Sequence, residues 1–275
     1  MAKSAMDCVK LARDAKRPHL KDFIDLICSD FDGTIYADGK ISQENIDAIK
    51  YFQSEGGYFT FASGRNYEMF TEGAASVITP NAPILSYNGA LIISIDGKKI
   101  YYQGLVTKEQ MLHAFSAYDY CPDIKCFHVN TIGRSGVYTF DENDSPEARR
   151  EFIDSFTAPF VKMIAVMHDR NTDETYAEVK KRFSKDFNIT RSWKFGIEFN
   201  DPNDSKGRAA KWLKKELGCH TLICVGDYDN DIDMVEAADI GYAVGNATDS
   251  LKAVADRVTV NVREHAIAKI IEELQ

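Results

Sequence analysis

The chain of 275 residues contains no run approaching the roughly 20 apolar residues that carry a helix across a bilayer, which excludes an ordinary membrane span. Its first 21 residues lack the apolar centre of a secretory signal, so a soluble, cytoplasmic protein with no membrane partner is expected. Positive charge is also in short supply. Lysine and arginine number 33 against 42 acids, for a net charge of −9, so there is no general basic field for nucleic acid. A small anionic ligand would need a local positive pocket. The six cysteines, Cys8, Cys28, Cys121, Cys126, Cys219 and Cys224, form no Cys-x-x-Cys pair. Cys28 and Cys224 sit in apolar runs, and the set reads as reduced, buried thiols rather than zinc ligands or disulfides. The six histidines form no ligand-spaced pair. Internal repeats and low-complexity tracts are absent as well.

What the sequence does contain is alternation. Short apolar runs at 26–30, 58–62 and 83–86 read as strands, with a helix over 42–55 between the first two. Ser42 is the expected N-cap of that helix. Asn45 stands where Glu or Gln would complete a capping box, and Gly56-Gly57 ends the helix. The pattern returns near the C-terminus: helix 205–217, strand 221–225, helix 230–237, strand 240–244, helix 248–255, strand 257–260 and a last helix from about residue 264. Strands alternating with helices predict an α/β fold, a doubly wound, Rossmann-like parallel sheet.

The middle of the chain breaks this pattern. A hairpin turn at Asp96-Gly97 is followed by amphipathic segments at 107–118, 145–156 and 172–187. Strand-like runs lie at 125–129, 137–140, 160–167 and 189–192, and Pro202 marks a return linker over 200–204. We therefore expect an N-terminal extension over 1–21, either a basic amphipathic helix or a disordered tail. The core would span 22–88 and 196–275, with an inserted α+β cap over 89–195.

Four separated segments carry the chemistry: Asp30-Phe31-Asp32-Gly33-Thr34, Ser63-Gly64-Arg65, Lys206, and Gly226-Asp227 with Asn230-Asp231. Three of them directly follow predicted strands. In a parallel sheet such loops converge on the carboxyl edge, where ligands bind. Four carboxylates gathered there would repel one another, and a divalent cation is the natural compensation. All the ligands on offer are oxygens, which suits Mg²⁺ better than zinc. A hydroxyl at Ser63, a cation at Lys206 and free backbone N–H groups suit the oxygens of a phosphate.

Taken in order, these segments resemble the motifs of the haloacid dehalogenase-like hydrolases. The insertion resembles the type-2 cap of their Cof-like phosphatases, subclass IIB. Further similar pieces are Tyr87-Asn88-Gly89-Ala90, Asp204-Ser205-Lys206-Gly207, the run from Gly226 to Met234, and Gly245-Asn246-Ala247. The resemblance spans about residue 25 to the C-terminus. It implies a phosphatase acting on a small phosphorylated metabolite through an aspartyl-phosphate, with Asp30 as nucleophile and Asp32 as acid and base. Thr34, Ser63 and Gly64 would hold the phosphoryl oxygens, and Lys206 would neutralise charge. Asp30, Asp227, Asp231 and the main-chain carbonyl of Asp32 would hold Mg²⁺. Asn230 would contact the phosphoryl group or orient Lys206. Arg65 would meet substrate or form a salt bridge, and Asn88 would read substrate or satisfy the cap junction. Asp38, Asp229 and Asp233 read as surplus surface acids.

Glu264-His265-Ala266 departs from the family, which has an acidic residue followed by Gly-Val at this point. His265 is read as a surface residue at a helix start, with substrate contact as the alternative. A phosphomutase of the same superfamily and a non-catalytic phosphometabolite-binding protein are the rival readings. Sugar phosphates, nucleotides, flavin mononucleotide and pyridoxal phosphate all stay open as substrates. Cap specificity would come from among Tyr101, Tyr102, His113, Tyr118, Lys125, His128, Arg134, Tyr138, Lys162, His168, Arg191 and Trp193. The oligomeric state is not legible in the sequence.

Overall fold

Leu26, Ile27 and Cys28, the apolar centre of strand Asp25–Ser29, are buried on both faces, as a strand inside a covered parallel sheet must be. The computed structural model containing it describes residues 25–71, 74–132 and 137–275. The expected N-terminal extension, Cys8 and Arg134 lie outside the described residues. The strand sits fourth in a five-stranded sheet ordered Arg257–Val258, Ile240–Ala243, Thr221–Gly226, Asp25–Ser29, Tyr58–Phe61. All of its pairings are parallel.

Side-chain alternation sorts this sheet into two cores. Ile27, Ile223 and Val225 pack with Ile49, Phe52, Ile270 and Ile271, the inner faces of helices Gln43–Ser54 and Ala266–Glu273. Leu26, Cys28, Leu222 and Cys224 pack on the other side with Ala209, Ala210 and Leu213 of helix Lys206–Leu217 and with Met234. This is the doubly wound α/β core predicted from the alternation. Ser42 caps its helix by accepting from the amide of Asn45. Asn45 does not complete a capping box. Fully buried, it accepts from the amide of Ala268 at 2.9 Å and ties the first helix to the last.

The second unit is an antiparallel sheet ordered Asn188–Trp193, Gly196–Asn200, Phe160–Met167, Ile124–Thr131, Val137–Asp141. Phe127, Val129, Met163, Ala165, Ile197 and Phe199 face helices Lys108–Phe115, Pro146–Ser155 and Thr172–Phe183 and form a separate core with them. By period-two alternation, Lys162, Ile164, Glu198 and Asn200 lie on the opposite face. Register sets Lys162 beside Asn200 and Ile164 beside Glu198.

Strand pairing does not follow the expected junctions. The hairpin Leu91–Ile93 and Ile100–Gln103 pairs with Ile84–Ser86, and its apolar residues join the parallel-sheet cores. Gly196–Asn200, unread as a strand, lies inside the antiparallel sheet. Among the described residues no helix is long and apolar enough to cross a membrane.

Candidate active site

Asp30 emerges directly from strand Asp25–Ser29, its amide donating to the Val225 carbonyl at 2.9 Å, so the parallel ladder itself fixes where its side chain starts. The chain then turns back through Gly33, at φ 75°, where a Cβ would strike the carboxylate of Asp227. Glycine is required there for two reasons, the left-handed backbone and the close approach. Ser63 follows strand Tyr58–Phe61, and Asp227 follows strand Thr221–Gly226. The three loops therefore meet at one sheet edge, as expected.

Lys206, in the first turn of its helix, is wholly buried and donates to Asp30 Oδ1 at 2.7 Å and to Asp231 Oδ1 at 2.6 Å. The other oxygen of Asp231 accepts the amides of Asp227 at 2.9 Å and Tyr228 at 3.2 Å. Thr34, fully buried, donates to Asp227 Oδ1 at 3.1 Å. Carboxylate oxygens of Asp30, Asp227 and Asp231 all lie within 4.8 Å of one another.

One lysine faces three carboxylates, and the electrostatics record the imbalance. Burial pushes Asp30 up to about 7 even though Lys206 pulls it down. Burial, then Asp30 and Asp231, push Asp227 up to about 9. Lys206 is itself held above its ordinary value: burial alone would lower it, and Asp231 and Asp30 outweigh burial. Hard oxygen donors with uncompensated negative charge in a buried cluster fit a divalent cation such as Mg²⁺. The side chain of Asp32 stands outside this cluster. It is half exposed and paired with Arg65 through two bonds of 2.6 Å, and Arg65 lies over the Phe31 ring at 4.9 Å.

Above the acids lies a cavity of about 300 Å³, lined on the core side by Asp30, Asp32, Ser63, Gly64, Arg65, Asp227, Tyr228 and Asn230. Its other walls are Lys162, Ile164, Ser192, Trp193 and Glu198 of the antiparallel sheet. Asn88 is not in the lining. Its amide donates to Glu198 and to Asn200 Oδ1 and accepts from Asn230 Nδ2 at 3.3 Å, which is the junction role. Of the candidate specificity residues, Lys162 and Trp193 reach the cavity. His113, Tyr118 and Tyr138 face the helices instead, with His113 against Phe183 and Phe187.

Sequence reasoning did not single out Ile164, Ser192, Glu198 or Tyr228. No local signal marks them: Ile164 is one apolar residue in an apolar strand, Ser192 lies in a strand with polar residues on both faces, Glu198 lies in a strand not expected from the sequence, and Tyr228 lies in a loop. Two of the acids read as surplus are not surplus. Asp229 accepts from Arg191 at 3.0 and 3.1 Å and from Ser250 at 2.8 Å, joining the two sheets' units. Asp233 accepts the amide of Gly207 at 2.9 Å and so anchors the start of the Lys206 helix. Asp38 is exposed and pairs with Arg263. His265 is a half-exposed residue at the start of the last helix, with φ 65° and Glu44 at 3.4 Å.

Residues 27–271 match the model of a family described as haloacid dehalogenase-like hydrolase. Among the similar curated proteins is 5-amino-6-(5-phospho-D-ribitylamino)uracil phosphatase YcsE of Bacillus subtilis (strain 168), 28% identical over 251 residues that cover 90% of this chain and 94% of that one. Two solved structures resemble the fold. A haloacid dehalogenase-like hydrolase from B. subtilis matches with a TM-score of 0.74 and 23% identity, over 91% of this chain and 99% of the other. The phosphatase BT1666 from Bacteroides thetaiotaomicron matches with a TM-score of 0.74 and 21% identity, over 94% and 98%.

Proposed function

From the premise that the chain belongs to the haloacid dehalogenase-like hydrolases, we propose that it is a Mg²⁺-dependent phosphatase that hydrolyses a small phosphomonoester through an aspartyl-phosphate on Asp30. The observation that carries the reading is the buried Lys206 bridging Asp30 and Asp231 beside Asp227, beneath a cavity that Asp30 and Asp227 line. Residues from about 105 to 200 serve as the cap, and the remaining described residues as the core.

The Asp30 carboxylate attacks phosphorus, the ester P–O bond breaks, and Asp32 donates a proton to the leaving oxygen. Water then attacks the same phosphorus, Asp32 takes its proton, and the acyl P–O bond breaks to release inorganic phosphate and restore Asp30. Ser63 and the Gly64 amide hold phosphoryl oxygens, Thr34 lies outside the cavity lining and instead holds Asp227 by donating to its Oδ1, and Lys206 offsets charge shared by Asp30 and the transferring group. Asn230 reaches the cavity beside them, and Arg65 holds Asp32 at the rim. Asp30, Asp227, Asp231 and the carbonyl of Asp32 would hold Mg²⁺, which supplies charge neutralisation at the phosphoryl oxygens.

The test is phosphate release from p-nitrophenyl phosphate and from a panel of phosphomonoesters. The panel includes sugar phosphates, nucleotides, flavin mononucleotide, pyridoxal phosphate and the ribitylaminouracil ester named for YcsE. Each is assayed with Mg²⁺, with EDTA and with Asp30→Asn. Turnover that disappears in EDTA and in the variant supports the reading; no release from any ester by folded, Mg²⁺-supplied protein defeats it.

A further inference from the structure

We propose that Lys162 is a positioning residue for phosphoryl binding, acting from the antiparallel sheet through the Gly64–Arg65 peptide to aim the hydroxyl of Ser63. The inference rests on the reading of Ser63 as a phosphoryl ligand.

Lys162 is almost completely buried, and its ammonium donates to the Gly64 carbonyl at 2.8 Å and to Glu198 Oε2 at 3.2 Å. The N–H of the peptide it polarises belongs to Arg65 and donates to Ser63 Oγ at 3.3 Å. A cation on a peptide oxygen strengthens the same peptide's N–H as a donor. Ser63 Oγ then serves as acceptor toward Arg65, which leaves its own hydrogen for an oxygen in the cavity that it lines.

The same loop is held from its other side. Asn88 and Tyr87 donate their amides to the carbonyls of Ser63 at 2.9 Å and Arg65 at 3.0 Å. Both occupy left-handed backbone, at φ 58° and 50°, conformations that persist only where surroundings enforce them. Asn200 supplies part of that enforcement by donating to the Tyr87 carbonyl at 3.2 Å. Glu198 supplies more by accepting from Asn88 and, at 2.7 Å, from Ser192. Glu198 is held below its ordinary value: burial would raise it, and Lys162, Ser192 and Asn88 prevail. A buried ion pair is seldom worth more to stability than an apolar pair of the same volume. What this one supplies is a fixed cation on the Gly64 carbonyl, present only while the antiparallel sheet sits on the core.

The experiment is a double-mutant cycle read by calorimetric titration with inorganic phosphate in Mg²⁺. Lys162→Met/Glu198→Gln removes both charges and strands neither. It is expected to weaken phosphate binding about tenfold, the size of coupling found between contacting groups. In a Ser63→Ala background the same change should alter affinity less than about twofold. Where the pair variant folds poorly, Lys162→Gln/Glu198→Gln gives the same cycle with both charges removed and polar groups kept in place, the dissociation constant being read per binding-competent molecule. Equal losses in both backgrounds would overturn the relay and make Lys162 a direct ligand contact. Unchanged affinity in the pair variant would reduce Lys162 to a structural residue, and no phosphate binding by the unaltered protein would remove Ser63 as a ligand and the proposal with it. Hydrolysis of p-nitrophenyl phosphate is scored separately: its absence removes the phosphatase reading, while the cycle still decides the relay.

Discussion

Lys206 and Asp231 lie 2.6 Å apart with neither side chain exposed to solvent, and the same ammonium reaches Asp30 at 2.7 Å. Lys206→Met removes the single cation from between two buried carboxylates. Deleting one partner of a buried pair costs about 3–5 kcal/mol, since the remaining charge has no compensation. Urea unfolding in EDTA should show a loss of that order, and phosphatase turnover should fall at least about a hundredfold because charge on the transferring group is no longer offset. Retention of both stability and turnover would contradict the assigned role.

The strand-end loops that carry Asp30, Ser63 and Asp227 were legible because a run buried on both faces announces a parallel strand, and the loops after parallel strands share one edge. The cap half of the site was not legible. Lys162, Ser192 and Glu198 reach the cavity only through the register of Phe160–Met167 on Gly196–Asn200, which no local pattern specifies. Glu198 and Asn200 also interrupt the apolar run that would have marked Gly196–Asn200 as a strand. Their face is polar and yet buried against the core, whereas a polar face ordinarily means solvent. Asp229 and Asp233 were misread for a related reason: each is satisfied by a distant group, Arg191 or the Gly207 amide, which only the fold brings near.

Asp227 gives a prediction linking metal and stability. Burial, with Asp30 and Asp231 adding to it, raises its carboxyl from an ordinary value near 4 to about 9. A raised carboxyl contributes stability that is fully present below its unfolded value and is lost as pH rises toward the folded value. Metal-free protein should therefore lose stability steadily from about pH 4 to pH 9, and Asp227→Asn should lose less. In EDTA at pH 8 the variant's thermal midpoint should equal or exceed that of the unaltered protein. Added Mg²⁺ should reverse the order, raising the unaltered protein by several degrees and the variant by less. Identical Mg²⁺ responses would place the cation elsewhere.

A second carboxyl titrates away from the acidic cluster. Asp204 is buried, its Oδ1 accepts from the Tyr102 hydroxyl at 2.7 Å, and its Oδ2 has no partner among the described residues. Burial is the main cause that raises it to about 6. The contribution to stability is complete below about pH 4 and is lost as pH rises through 6, so the charged form is a cost at neutral pH. Asp204→Asn keeps an acceptor for Tyr102 and carries no charge. It should be about 1–2 kcal/mol more stable at pH 8 and no more stable at pH 4, by unfolding at the two values. Asp204 does not line the cavity, and turnover should stay within about threefold.

The departure from the family at Glu264-His265-Ala266 now has a physical content. His265 sits at φ 65°, ψ 50°, the left-handed conformation that glycine adopts freely and that costs other residues about 1–2 kcal/mol. Its ring lies 3.4 Å from Glu44, with about half of both side chains in solvent, a pairing worth little. His265→Gly removes the backbone strain and gives back part of the gain through the greater freedom of an unfolded glycine. The net expectation is a stabilisation of about 0.5–1 kcal/mol with unchanged phosphatase kinetics, since His265 is absent from the cavity lining. His265→Ala keeps the strain and loses the imidazole, so it isolates the ring: stability unchanged or slightly lower, kinetics again unchanged. A rise in KM with either variant would instead give the imidazole a part in holding substrate and would overturn the assignment of this position to backbone geometry alone.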